Sequence, residues 1–197
     1  MRYHFSVLNL QPTLSNCVVS VRPLTPGDWD ALYAVASDPP LWANHPEPDR
    51  WQEPVFRLFF NQALDSGGAL IAIDAGTGKV IGSSRYDLGR AGPKEIEIGW
   101  TFLARSHWGG RTNAALKRLM IQHALNEFDQ VIFWIGENNI RSRRALEKIG
   151  GTLTDRLLEV QMATGLVRHV CYGIDRKSFE HGPLSDQAWA EIPRELI

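Results

Sequence analysis

The chain has 197 residues, 44% hydrophobic and 22% charged, enough to bury a core as one large domain or two small ones. Its 21 Lys and Arg against 22 Asp and Glu leave a formal charge of -1, which excludes general attraction to nucleic acid or to an anionic membrane, so any anion site must be local. No stretch reaches the roughly 18 uninterrupted apolar residues of a membrane span, and the opening "MRYHFSVLNLQPT" has too short an apolar run for a signal peptide, so a cytoplasmic protein is expected.

The elements alternate in type along the chain, without repeats or obvious linkers. "CVVSVRPL" is β-branched and reads as a strand. "TPGDWDALYAVASD" then reads as a helix with Thr25 as N-cap and Pro26 in its first position. Four prolines break "PPLWANHPEPDRW", which is expected to lack regular structure but is too aromatic for an ordinary linker. From Glu53 to Asp65 the apolar positions fall on one helical stripe, closed by Gly67 and Gly68. "ALIAIDAGTGKVIGSSRYDL" gives two strands around a turn at Ala75 to Gly78, and "KEIEIGWTFL" gives a third. "QVIFWIG" is a continuous apolar run, so its strand is expected to be covered on both faces. "NNIRSRRALEKIGG" reads as a short helix capped by Asn139, with Leu146 and Ile149 inward and Gly150 at its end. "LTDRLLEVQMATGLVRHVCYGID" closes as a hairpin about Ala163 to Gly165. The domain is expected to span residues 1–182, with residues 183–197 as a C-terminal tail whose Trp189 docks back. Cys17 and Cys171 sit in apolar, strand-like surroundings and are expected as reduced core thiols, with no metal site.

Between the third strand and the following amphipathic helix stands "RSHWGGRTN". A helix N-terminus offers unpaired backbone N–H groups and a partial positive charge, and glycines before it let an anion approach. A tight structural turn is the competing reading. The loop has neither the GxxxxGK[ST] of a P-loop nor GxGxxG. Lys117 and Arg118 in the helix read as a solvated face or as phosphate contacts.

The segment "EIEIGWTFLARSHWGGRTNAALKRLMIQHAL", followed after the next strand by "ENNIRSRRALEKIGG", resembles the GCN5-related N-acetyltransferases (GNAT), in particular the branch that acetylates the N-termini of ribosomal proteins. The second block carries the resemblance at Asn139, Ser142, Arg144, Glu147, Lys148 and Gly150, and the likeness extends from about Val18 to Ile174. In the first block Arg111 and Asn113 stand where that branch has its central glycine and its final Gly or Ala.

The resemblance implies an α+β fold, with a mixed central sheet of about seven strands, helices on both faces and a splayed strand pair at an acyl-CoA site. It implies an N-acetyltransferase moving an acetyl group from acetyl-CoA to a primary amine, on a protein N-terminus or a small molecule, by direct attack in a ternary complex. It would place the donor against the backbone of Phe102, Leu103 and Ala104, and against Trp108, Gly109, Gly110, Arg111, Thr112, Asn113, Asn139 and Ser142.

Such a transfer needs a proton acceptor for the amine and a donor for the departing thiolate. Glu95 and Glu97 are two apart on a strand and so share a face, with Glu97 the first candidate base and Glu95 the second. Both also read as a solvent-facing edge or an arginine-paired couple. Ser142 is the candidate beside the sulfur or a backbone-bonded first-turn residue, and Asn139 a ligand contact or only a cap. Trp42, His45 and Trp51, with Tyr86, are the candidate walls for the acceptor, core packing being the rival account. Tyr86 and Tyr172 are proton donors by residue type alone. His107 faces phosphate or solvent. A binding module without turnover is the second class of function. The sequence does not decide between monomer and homodimer.

Overall fold

The computed structural model describes residues 8–190. Strand β1 (Leu14–Ser15) pairs antiparallel with β2 (Val19–Pro23). At the end of β2 the Thr25 backbone N–H and hydroxyl both donate to the Asp28 carboxylate at 2.8 Å, and Arg22 clasps the same carboxylate at 2.7 Å. This cap starts a 3-10 turn, Pro26–Asp28, that runs into α1 (Trp29–Ala36). The proline-rich stretch is not wholly irregular as expected. It holds a one-turn helix, α2 (Pro39–Trp42), because prolines at the first helical positions give up no needed hydrogen bond. Helix α3 (Glu53–Asp65) buries Phe56, Phe59, Phe60 and Ala63.

Strands β3 (Ala69–Asp74), β4 (Val80–Asp87) and β5 (Glu95–Leu103) form an antiparallel meander. Helix α4 (Thr112–Ala124) crosses to β6 (Gln130–Gly136), which runs parallel to β5. Helix α5 (Ile140–Glu147) leads to the hairpin of β7 (Thr152–Met162) and β8 (Gly165–Asp175). Then come α6 (Arg176–His181) and α7 (Asp186–Ala190). The sheet has eight strands in the order β1-β2-β3-β4-β5-β6-β8-β7. The strand beyond the seven legible in the sequence is β1, whose two residues carry no apolar run.

Alternation along β3 separates two cores. Leu70 and Ala72 join Leu116, Met120 and Ile121 of α4. Ala69 and Ile71 join Leu32 of α1 and Phe56 and Phe60 of α3. Strand β6 is interior, and its Val131, Ile132 and Phe133 are buried. Cys171 is buried in β8, but Cys17 is exposed, outside the core expected for it, because β2 begins only at Val19.

Strand β5 contains a bulge. Arg85 lies opposite Gly99 but Ser83 lies opposite Phe102, and Trp100 takes a positive φ of 51°. Ile96 and Ile98 accordingly pack on the α4 side while Phe102 packs with α1 and α3. Gly82 serves this geometry, since a Cβ there would stand 2.0 Å from the Phe102 carbonyl oxygen.

Candidate active site

Strands β5 and β6 pair only at Glu95–Gln130, Ile96–Val131 and Glu97–Ile132, after which they part although both continue. A cavity of about 300 Å³ occupies the opening, walled by residues 98–103 of β5 and 133–136 of β6. It lies at the carboxyl ends of two parallel strands, where backbone groups and helix N-termini converge. The helix that follows each strand begins here: Gly109 and Gly110 of the loop before α4 and Asn113 in its first turn border the cavity, as do the α5 cap Asn139 and Ser142.

The cofactor-side expectations divide. Phe102, Leu103, Trp108, Gly109, Gly110, Asn113, Asn139 and Ser142 all line the cavity. Trp108 is fixed by its indole N–H, which donates to the Leu103 carbonyl at 2.9 Å, and Arg141 lies 4.0 Å above its ring. Gly109 has φ 75°, and a Cβ on Gly109 or Gly110 would touch nothing, so open space fronts this backbone. Asn139 caps α5, its side chain accepting from the Ser142 N–H at 3.2 Å. Ala104, Thr112 and Arg111 are off the cavity wall. The Ala104 N–H is spent on Ile81 O, and Thr112 is buried in the first turn of α4. The Arg111 guanidinium stacks 4.4 Å from Trp189 instead of turning to the loop. Trp189 thereby docks α7 onto α4, helped by Arg118, which reaches the Leu184 carbonyl and the Asp186 carboxylate.

On the acceptor side, Trp42 and His45 line the cavity, with the Trp42 N–H donating to Ala36 O at 2.7 Å. Trp51 stands outside it, 36% exposed. Tyr86, expected at the substrate, is buried, and its hydroxyl donates to Met120 O at 2.7 Å, so it braces β4 on α4. The Tyr172 hydroxyl is likewise committed, donating to Glu147 at 2.7 Å and accepting from Arg143 at 3.0 Å. The ring nitrogens of His107, on the cavity wall, lie 3.0 Å from the Ser106 hydroxyl and 3.3 Å from Asp74.

The two glutamates differ from a free general base. Glu97 is 0% exposed and held by Arg90 through bonds of 3.0 and 2.5 Å. Its burial raises the carboxyl pKa more than the Arg90 charge lowers it. Glu95 accepts from Arg156 at 2.8 and 2.9 Å. Among the described residues no carboxylate lines the cavity.

Side chains not singled out by the sequence do line it. His169 on β8 lies 3.1 Å from Val167 O through Nδ1. A carbonyl only accepts, so Nδ1 carries the hydrogen and Nε2 keeps its lone pair. Burial lowers the His169 pKa, which keeps the ring neutral. His45 has the opposite tautomer, since Nδ1 accepts from the Glu47 N–H at 2.9 Å and Nε2 therefore bears the hydrogen. Its pKa is pushed down to about 3 by burial and by the charges of Arg50 and Arg141. Lys117, read from sequence as surface or phosphate contact, is 6% exposed and lines the cavity. Its ammonium donates to Thr101 at 2.5 Å and reaches Ser84 at 3.4 Å, and burial pushes its pKa down to about 7. The available signals were weak: His169 shares its strand face with Val167 and Cys171, and Lys117 follows the buried Ala115 and Leu116.

The family model described as "Acetyltransferase (GNAT) domain" matches residues 19–152. The chain belongs to the GNAT acetyltransferase family. It is an acyltransferase of that type. A GCN5-related N-acetyltransferase structure from Brucella melitensis is similar to this GNAT chain with TM-score 0.78 and 19% identity, over 94% of this chain and 87% of that one. Mycobacterium smegmatis RimJ in complex with CoA-disulfide is similar with TM-score 0.66 and 16% identity, over 84% and 86%. Spermidine N-acetyltransferase from Vibrio cholerae in complex with CoA and spermine is similar with TM-score 0.62 and 13% identity, over 83% and 99%. At these identities the structures show that the GNAT fold is shared. A search of curated proteins gives no match. No described helix of this GNAT chain is long and apolar enough to cross a membrane.

Proposed function

We propose that the protein moves an acetyl group from acetyl-CoA to a primary amine by direct attack in a ternary complex. The observation that carries this reading is the parting of β5 and β6 beyond Glu97 and Ile132, with a cavity between them bounded by the N-terminus of α4. Unpaired strand edges on both sides suit the amide-bearing arm of CoA, and the open backbone at Gly109 and Gly110 suits its pyrophosphate. Bound there, acetyl-CoA supplies a thioester carbonyl whose C–S bond breaks as the new C–N bond forms.

The remaining work falls to the protein's own groups. His169 Nε2, neutral and with a free lone pair, accepts the proton that the neutral amine gives up as it bonds to the carbonyl carbon, directly or through one water. The Ser142 hydroxyl, at the start of α5, donates toward the departing sulfur. Buried Glu97 and its half-buried partner Arg90 pair behind Gly99, where a Cβ would stand 2.9 Å from the carboxylate, and so hold the bulged strand in position. Trp42 and His45 form the wall that the acceptor meets.

The test is thermal unfolding with CoA, acetyl-CoA, ATP and NADH, followed by thiol release with a panel of amines. Acetyl-CoA at about 100 times its Kd should stabilise the fold by about 2.7 kcal/mol, and ATP and NADH should not. His169→Gln should keep that shift and lose turnover by about a hundredfold or more. Glu97→Gln should chiefly lower the unfolding temperature, because Arg90 loses its charged partner. Absence of a CoA shift would sink the reading, and a fully active His169→Gln would sink the base assignment.

A further inference from the structure

The titratable side chains on the cavity wall are His45, Arg50, His107, Lys117, Arg141 and His169, six basic groups against no described carboxylate. They sort by position. His107 and Arg141 lie beside Trp108 and the start of α4, where a phosphate-bearing donor accounts for them. Arg50 lies elsewhere, 5.2 Å over Trp42 and 4.6 Å over Phe59, on the wall assigned to the acceptor.

Among the described residues no acceptor bonds the Arg50 guanidinium. Its guanidinium stands 3.5 Å from His45 Nε2, and that nitrogen already bears a hydrogen, so it cannot accept. Glu47 attracts it through space but spends its Oε1 on the Ala163 N–H. Arg85 lies close behind, 5.8 Å from the same Phe59 ring and 4.5 Å from Trp100. It is 6% exposed, and its Nε and Nη2 have no hydrogen-bond partner. Glu97 is taken by Arg90, and Asp87 accepts instead from the Gly89 N–H. Two guanidinium groups thus lie against one aromatic ring, both disfavoured in their charged form by burial and without a bonded anion, an arrangement that is costly unless a ligand supplies the charge.

Resting on the transferase reading above, we propose that the acceptor is an anionic amine: a primary amine in a molecule that also carries a carboxylate, which Arg50 binds and Arg85 attracts. The bidentate fork of Arg50 fits a carboxylate, while Trp42 and Phe59 exclude water from the pair. A polyamine is repelled by the same groups. The shared chemistry belongs both to free amino acids and to peptides with an acidic N-terminal residue.

The experiment measures kcat/KM by thiol release at saturating acetyl-CoA with matched acceptors: glutamate and its diamide, Glu-Ala-amide and Gln-Ala-amide, and spermidine. Carboxylate members should exceed their amides by about tenfold or more, the scale of a charge-assisted hydrogen bond. Arg50→Gln should erase that ratio while leaving the CoA-induced unfolding shift intact, and the amino-acid and peptide arms identify the source. In parallel, the unfolding temperature of the CoA-saturated protein should rise with the acidic members only. Equal use of acids and amides, preference for spermidine, or CoA binding with no response to any acidic member would overturn the proposal. The first two of these leave the acetyltransferase reading standing, whereas loss of CoA binding would fell that reading first.

Discussion

Lys117 is buried with hydroxyls and the Phe133 ring for neighbours and, among the described residues, no carboxylate bonded to it. Its amine is held near pH 7 against an ordinary 10.5. Between those values the unfolded chain binds a proton that the folded chain does not, so stability rises with pH through the window and is flat on either side. Lys117→Met keeps the volume, and Ser84 and Thr101 retain their mutual bond of 2.8 Å. The variant should gain about 2 kcal/mol at pH 7 or below and lose the rise above it, as read from urea midpoints across the pH range. A midpoint that falls in the variant at every pH would show the lysine to be net stabilising. At this scale the sequence was least legible, because the fate of Lys117, Arg50 and His169 depends on which side of a strand or helix is covered by chain far away. The Asn139 cap was legible because its partner, the Ser142 N–H, lies within one helical turn.

The elements were largely readable. Helix α3 runs from Glu53 to Asp65 as the apolar stripe predicted, and the turns before β4 and β8 carry glycines at positive φ, Gly78 and Gly165. Periodicity failed at β5, where strict alternation puts Phe102 on the face of Ile96 and Ile98, whereas the bulge sends it to the other. The loop before α4 can be tested separately from the fold. Gly110 has open space around it and no positive φ, so Gly110→Val should change unfolding by no more than about 0.5 kcal/mol. Its branched side chain should obstruct a phosphate and weaken CoA binding by about tenfold or more in calorimetric titration. Unaltered affinity would show that the donor's phosphates rest elsewhere.

Over the whole molecule, α7 fastens the end of the described chain to the helix that bounds the cavity. Trp189 lies 4.4 Å from Arg111 and 5.5 Å from Arg118, which are the N-cap and an outer-face residue of α4. Trp189→Ala should cost about 1–2 kcal/mol in denaturant unfolding, and it should weaken CoA-induced stabilisation because the freed Arg111 no longer steadies the first turn. Loss of stability with an unchanged CoA shift would separate α7 from the site. The docking of Trp189 was expected from the sequence. Its partners were not, since Arg111 reads by sequence as a loop residue facing an anion.

The cleft is finally a matter of counting. Six residues of β4, Gly82 to Asp87, stand opposite seven of β5, Glu97 to Leu103, so β5 carries one residue in surplus at Trp100. The surplus swaps the roles of even and odd positions, so that Ile96 and Ile98 before it and Leu103 after it all meet the α4 core. A β5 shorter by that one residue would keep each side chain on its present face and lose only the bend. Its edge could then run on beside β6 past Ile132, and the same core would surround a continuous sheet with no room for a substrate.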